Sequence, residues 1–484
     1  MDIANIVLDV TSRDDIPLIL LGLQHIYTEP CLQKSVFKVL QEIIPHKPKH
    51  NSSGSVVVAF DKGRPGMDQW SILVLGTLRL ALNADFDRIQ ELANEHKTLR
   101  MMLGHGVFDN KNYRLQTLKD NLKLFTPDIM DRINTEVIKA GYQSLNIKTT
   151  DLIQGRCDSF VLKTDVHFPT DINLLYDAIR TLFRQCVHWR KSYHLPEWRQ
   201  HKYNLRQFKQ QYRKIQKLRH SSSKDEKKKE LQARLIREAH QVYIDLAQKY
   251  LNRVTGSAEI LKKTCQIPDT LLNELETFQQ HGRRQIEQIK RRVIEGEKIP
   301  HDEKVFSLFQ PHTEWISKAK AGVPVELGIR VCIMEDRHGF ILHHRVMQKE
   351  TDDKIAIKMV EATQKKFSSF KACSFDKGFH SKSNQTELKE KLEQCTLPKK
   401  GKLSAKDKAH EYAEEFKQAK KKHSAVESAI NALQIHGLSL CRDHGIEGVE
   451  RYTALAVLSR NIQKLGAIKR EKERQQLKKQ KKVA

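Results

Sequence analysis

Three acidic residues stand where apolar segments begin, end or border a polar face: Asp158, Asp376 and Glu427. Asp158 opens the apolar run Asp-Ser-Phe-Val-Leu. Asp376 closes Ala-Cys-Ser-Phe and precedes the turn Lys377-Gly378-Phe379. Glu427 lies in Ser424-Ala-Val-Glu-Ser-Ala-Ile-Asn-Ala-Leu433, beside an apolar face made by Val426, Ile430 and Leu433. Each alone is ordinary, since helix surfaces and strand ends carry acids routinely. Together they suit a divalent-cation site, because Mg²⁺ and Mn²⁺ prefer hard oxygen ligands and are held by a few carboxylates plus substrate phosphate. Two such ions about 4 Å apart serve phosphodiester chemistry by activating the attacking oxygen and stabilising the leaving one. Unperturbed carboxyls titrate near pH 4, so all three acids are expected to be ionised at neutral pH. Asp165 and Asp171 follow Asp158 closely and are reserve candidates for the first acid, although Thr170 or Asp171 also reads as a helix cap.

The elements that must position these groups follow from periodicity. Asp158 belongs to a strand that breaks at Pro169 and gives way to a helix with the apolar stripe Leu174, Leu175, Ala178, Ile179, Leu182 and Cys186. Val325, Leu327, Ile329, Val331 and Ile333 alternate with Glu326, Gly328, Arg330, Cys332 and Met334, which predicts a strand with one buried face. Arg337-His338-Gly339 turns it into a returning strand, 340–346, and so a hairpin. A helix over about 353–367, a strand over 372–375 and helices over about 423–435 and 447–465 complete a mixed α/β core. Between the first strand and the hairpin lie basic helical segments, 198–219 and 224–250, with Ser221-Ser222-Ser223 as the tip of a helical hairpin. Residues 1–145 read as a mainly helical domain, with a short strand at 56–60, a turn at 63–66, Gly104 as a helix cap and Gly141 as a helix stop. The tail from Lys469 to Val483 reads as a solvated or frayed helix. No internal repeat is found.

The 484-residue chain carries 85 Lys and Arg against 59 Asp and Glu, a net charge of +26. Such an imbalance points to a polyanionic partner, nucleic acid first. The eight cysteines are scattered without a C-x-x-C pair, which argues against a zinc ribbon or a redox motif. No apolar run approaches the ~20 residues of a membrane helix, and no signal peptide opens the sequence. The expectation is a soluble, cytoplasmic protein with no membrane partner.

Four stretches resemble bacterial insertion-sequence transposases of the DDE type, which have an RNase H-like core, and most closely the ISNCY group. They are Gly63-Arg-Pro-Gly66 through Arg100-Met-Met-Leu-Gly104; Asp158 through His167-Phe-Pro-Thr-Asp171 with Leu174-Leu175; Phe375-Asp-Lys-Gly-Phe-His-Ser381; and His423-Ser-Ala-Val-Glu-Ser-Ala-Ile-Asn431 with His436-Gly-Leu438, Gly445, Arg451-Tyr452 and Asn461. Ser159 stands where the family more often has Thr, and Lys163 where an acid is expected. The resemblance implies an α/β (α+β) RNase H-like core interrupted by a long all-helical insertion, with a helical N-terminal DNA-binding domain. Its layout would be 1–145 for DNA binding, 146–190 with 311–466 as the split catalytic domain, 191–310 as the basic insertion and 467–484 as a basic tail.

The same resemblance makes Asp158, Asp376 and Glu427 the catalytic, metal-binding acids, with two Mg²⁺ (or Mn²⁺) ions, and keeps His380 in reserve. The function implied is a bacterial, nucleoid-associated transposase that binds terminal inverted repeats, cleaves the strand and transfers it to target DNA, as a homodimer on double-stranded DNA. Another RNase H-like nuclease or resolvase, or an inactive basic DNA-binding protein, are the alternatives. Lys318 and Lys320, next to His312-Thr313 and Trp315, are expected to meet phosphate, as are Arg100, the cluster Lys227, Lys228 and Lys229, and the pairs Arg283, Arg284 and Arg291, Arg292.

Overall fold

A computed structural model describes residues 3–43, 66–106, 108–193, 197–220, 225–264, 268–317 and 324–483. The strand expected at 56–60, most of the turn at 63–66, Ser221–Ser223, Lys318 and Lys320 lie outside these residues. The chain forms two compact units, one made of residues 1–165 and 316–484 and the other of 166–315.

The first unit is built on a mixed sheet. Its strands are β1 (Ile153–Thr164), β2 (Glu314–Ser317, where the chain re-enters the unit), β3 (Val325–Asp336), β4 (Ile341–Met347), β5 (Phe370–Phe375), β6 (Gln394–Thr396) and β7 (Leu440–Cys441). β1 is central. It pairs antiparallel with β3 and parallel with β5, while β4 runs antiparallel to β3 and β6 parallel to β5. β7 adds a short parallel pairing at the end of β1, Lys163 opposite Leu440. The β3–β4 hairpin is locked at its turn. Gly339 takes φ +83°, and the buried Asp336 carboxylate accepts the amides of His338 and Phe340 and the hydroxyl of Tyr142.

Alternation along β3 predicts one buried face, but the sheet has two. Ile329, Val331 and Ile333 join one core with Phe160 and Leu162, whereas Cys332 and Met334 join another with Cys157, Leu342 and Met359. The reason is that helices cover both sides. Helix Asp352–Lys366 contributes to the second core. The first is shared with the helices of residues 15–144 and with the long C-terminal helix Ile446–Val483. Residues 1–145 are therefore part of the sheet's own unit and not a separate body. The expected break between a helix at 447–465 and a frayed tail is absent, because one helix runs through both. Gly141 does not stop its helix, which continues from Pro127 to Ser144. A Cβ there would lie 2.2 Å from the Phe340 ring, so the glycine makes room for the hairpin.

A buried polar knot ties the C-terminal helix to the sheet. Asn461 accepts the Ile341 amide at 3.0 Å and donates to the Ile341 carbonyl at 2.9 Å and to Asn134 at 2.7 Å. All three residues are buried. Alanine at 461 would orphan the buried Ile341 amide and the Asn134 side-chain oxygen, although Asn134 still donates to the Ile341 carbonyl at 3.2 Å, so Asn461→Ala is expected to lower the unfolding free energy by about 3 kcal/mol in a urea titration. An unchanged midpoint would refute the knot's importance.

The second unit is helical: Asp171–Tyr193, His201–His220, Glu226–Thr264 and Asp269–Ile289. Its core contains Phe183, Trp189, Trp198, Phe208, Tyr243 and Tyr250. The interruption therefore starts at residue 166 and not at 191. The stripe of helix Asp171–Tyr193 packs into the helical unit, leaving β1 as the sheet's share of that stretch. Among the described residues, no helix is long and apolar enough to cross a membrane.

Candidate active site

Parallel pairing brings the first two acids together. Cys157 on β1 stands opposite Phe375 on β5, so the next residue on each strand, Asp158 and Asp376, falls side by side. Side chains alternate along a strand, which turns Asp158 to the same face as Phe160 and Leu162. Asp376 leaves the end of β5 and caps the short turn Lys377–Phe379, its carboxylate accepting the Gly378 amide at 3.4 Å.

The third acid is delivered by helix Ala425–Leu433. Val426, Ala429 and Leu433 bury themselves in the core that holds Phe160 and Leu162, and Glu427 sits exposed in the helix's first turn. The helix ends in a tight turn through Gly437, which adopts φ +106° and where a Cβ would meet Leu80 at 3.0 Å and the Tyr452 hydroxyl at 3.2 Å. That hydroxyl donates to the Gly437 carbonyl at 3.2 Å, and the His436 ring meets the Ala81 carbonyl. Arg451 and the buried Arg79 both pair with Asp443, at 3.3 and 2.7 Å. The residues that follow the glutamate motif are thus the braces that fix its helix.

Two further groups lie at the site. Asp352, at the start of helix Asp352–Lys366, places its carboxylate 3.0 Å from where a Gly378 Cβ would stand, and its Oδ1 is buried with no hydrogen-bond partner among the described residues. His423, one helical turn before Glu427, contacts the Ser374 hydroxyl at 3.0 Å through Nδ1, and its Nε2 is buried with no hydrogen-bond partner among the described residues. Sequence reasoning missed Asp352 because an acid pair at a helix start reads as a first-turn preference. Only the strand pairing brings it to this end of the sheet.

The charges are coupled. Burial pushes the Asp158 carboxyl up to about 7; the hydrogen bond from the Ser159 amide opposes this, and the negative charges of Asp376, Asp352 and Glu427 reinforce it. The expectation that all three acids ionise freely at neutral pH thus fails for Asp158. Burial lowers the His423 pKa, with Asp376 opposing. Neighbouring carboxylates, with an orphaned buried oxygen on Asp352, are the donor type that hard divalent cations take. Among the described residues, no three His, Cys, Asp or Glu side chains converge on one point.

A pH dependence follows. Cation binding requires ionised Asp158, so the Mg²⁺ concentration giving half-maximal thermal stabilisation should fall up to tenfold for each pH unit from 5.5 toward about 7, then level off. Asp158→Asn should show no Mg²⁺-dependent stabilisation anywhere in that range. A wild-type profile flat from pH 5.5 to 8 would contradict the assignment.

The remaining sequence candidates divide. Asp165 is exposed in a bend after β1, and Asp171 pairs with Arg292 at 2.8 Å inside the helical unit, with Thr170 capping the helix. Neither Asp165 nor Asp171 belongs to the cluster around Asp158. His167 binds Asp177 at 2.6 Å and Phe168 packs on Trp315, so that motif serves the helical unit. His380 is half-buried, with its amide bonded to the Lys377 carbonyl at 3.2 Å. Lys227, Lys228, Lys229, Arg283 and Arg284 are exposed, as a phosphate-binding surface requires. Arg291 is engaged with Glu297 and Glu303 at 2.6 Å each, and Arg292 with Asp171. Arg100 spends its guanidinium on the carbonyls of Ala93, Asn94, Asp109 and Lys111, which makes it a loop clamp and not a free phosphate contact.

Comparison of the chain with protein-family models, curated proteins and solved structures gave no match.

Proposed function

We propose that this chain is a divalent-metal-dependent DNA strand-cleaving and strand-transferring enzyme, a transposase of the DDE type with an RNase H-like core. The observation that carries the reading is the register of two adjacent parallel strands, which sets Asp158 beside Asp376, with Glu427 on a braced helix close enough for its charge to raise the Asp158 pKa. A mixed sheet whose central strand bears the first acid, and whose parallel neighbour ends at the second, supports the RNase H-like assignment. The net charge of +26 and the exposed lysines and arginines of the helical unit support a DNA partner.

Asp158, Asp376 and Glu427 would hold Mg²⁺ or Mn²⁺, with Asp352 beside them, and the bound cations would supply activation of the attacking oxygen and charge stabilisation of the leaving one. The chain's own contribution is positioning. β1 and β5 fix two carboxylates in register, and the Gly437 turn and the Arg79–Asp443–Arg451 pairs fix the third. The phosphate backbone would be drawn in by the basic surface. The chain would act as a homodimer on paired element ends.

The test is to incubate the full chain with duplexes carrying the DNA that flanks its gene, with Mg²⁺ or with EDTA. Nicks at fixed positions near inverted repeats, followed by joining to a second duplex, are expected. Cleavage without positional preference would instead favour a general nuclease or resolvase. Binding without cleavage would leave an inactive DNA-binding protein.

A further inference from the structure

Phe108 is 95% exposed, more than any other large apolar side chain among the described residues. An aromatic ring left in water forgoes about 2 kcal/mol or more of burial, so its place needs a reason. The loop is not loose. Arg100 donates to the carbonyls of Asp109 and Lys111 on the loop, and of Ala93 and Asn94 beneath it. His105, 5% exposed, bridges the Asp109 carboxylate at 2.6 Å and the Tyr113 hydroxyl at 2.8 Å. Asp109 also accepts the Lys111 amide at 2.8 Å, and the Tyr113 backbone is bracketed by Asn94 and Gln90 at 2.7 and 3.0 Å. The buried network holds a ring out in solvent, ready for a partner at little entropic cost.

The surroundings say what kind of partner fits. Its chain neighbours Gly104, Gly106, Asp109, Asn110, Lys111, Asn112 and Arg114 are all exposed, so among the described residues of the loop no other apolar side chain stands out with it. A protein interface is built on a contiguous apolar core with a polar rim. A single flat ring flanked by lysine and arginine suits a stack of flat bases between phosphates, where aromatic and aliphatic wedges unstack a base step. Asp109, the one acid beside it, is turned onto His105 and the Lys111 amide.

We propose that Phe108 is a wedge that enters the base stack of duplex DNA, with Lys111 and Arg114 on the flanking phosphates. The inference rests on the DNA-processing reading and adds a base-opening element to it, remote in sequence from the acids.

Fluorescein-labelled 30-bp duplexes of mixed sequence, fully paired or with one central T·T mismatch flanked by 2-aminopurine, provide the test. A mismatched step opens at lower cost, so a wedge prefers it. Wild type is expected to bind the mismatched duplex more tightly and to brighten the 2-aminopurine. Phe108→Ala should lose at least tenfold in affinity for that duplex and lose the brightening, with an unchanged urea midpoint, and Phe108→Trp should retain both. The salt dependence of binding should be unaltered in Phe108→Ala and flatter in Lys111→Ala. Phe108→Ala within twofold of wild type on both duplexes, with wild type binding well, overturns the wedge alone and leaves the ring to a protein pocket. Failure of wild type to bind either duplex at low salt overturns the wedge together with the DNA-processing reading.

Discussion

Asp158→Asn is expected to abolish Mg²⁺-dependent strand cleavage, by roughly 10³-fold or more, while making the cation-free protein more stable. The two effects have one cause. In the fold the Asp158 carboxyl is held at about 7, whereas its ordinary value is 3.8. The folded state therefore grips the proton more tightly than the unfolded chain does. Stability falls as pH rises from about 4 to 7, and above 7 the full cost is present, at most about 4 kcal/mol. Asparagine keeps the shape and removes the charge, so at pH 8 its unfolding midpoint should exceed that of wild type. Below about pH 3, where the aspartate is protonated in both states, the two should converge. Excess Mg²⁺ should raise wild-type stability and leave the variant unmoved, since a ligand stabilises only the state that binds it. Affinity for DNA should change little. A variant that cleaves, or one no more stable than wild type at pH 8, would contradict the account.

The second large effect concerns the scaffold. Helices Asp15–Thr28 and Ile446–Val483 touch backbone to backbone. A Cβ on Gly22 would lie 2.3 Å from the Ile462 carbonyl oxygen, and one on Gly466 would lie 2.1 Å from that of Leu18. Neither oxygen can move without its helix. Gly466→Ala gains about 1 kcal/mol in helix propensity and still should destabilise by about 2–4 kcal/mol through overpacking. Gly22→Ala should behave alike, and the double variant should be less than additive because one separation of the helices relieves both clashes. Gly256 is the control. It is helical with nothing among the described residues within 4 Å of its would-be Cβ, so Gly256→Ala should stabilise slightly. Equal effects at 256 and 466 in urea unfolding would remove the argument.

Local chemistry was readable where a few residues decide the structure. The period-two run of β3, the Gly339 turn, the αL cap at Gly104 (φ +83°) and the strand ending at Asp376 are all short-range decisions. Periodicity reports that a face is buried, not what buries it. Hence the second covered face of β3, the merging of residues 1–145 with the sheet, and the assignment of helix Asp171–Tyr193 to the helical unit all came from packing between segments distant in the chain. Gly141 looked like a stop because glycine disfavours helices, but tertiary fit to Phe340 overrode propensity. At the site, spacing and resemblance selected three acids. Asp352 and the raised pKa of Asp158 depend on how strands and helix ends converge, which no local window contains.

One divalent-cation site is proposed to join acids from β1, the end of β5 and helix Ala425–Leu433. Fe²⁺ takes the place of Mg²⁺ in carboxylate sites, and with ascorbate and peroxide it cuts the polypeptide beside itself. Mapping those cuts by mass spectrometry should find them clustered near residues 158, 352, 376 and 427, suppressed by excess Mg²⁺ and absent in Asp158→Asn. Cuts confined to other parts of the chain, or an unchanged pattern in the variant, would contradict it.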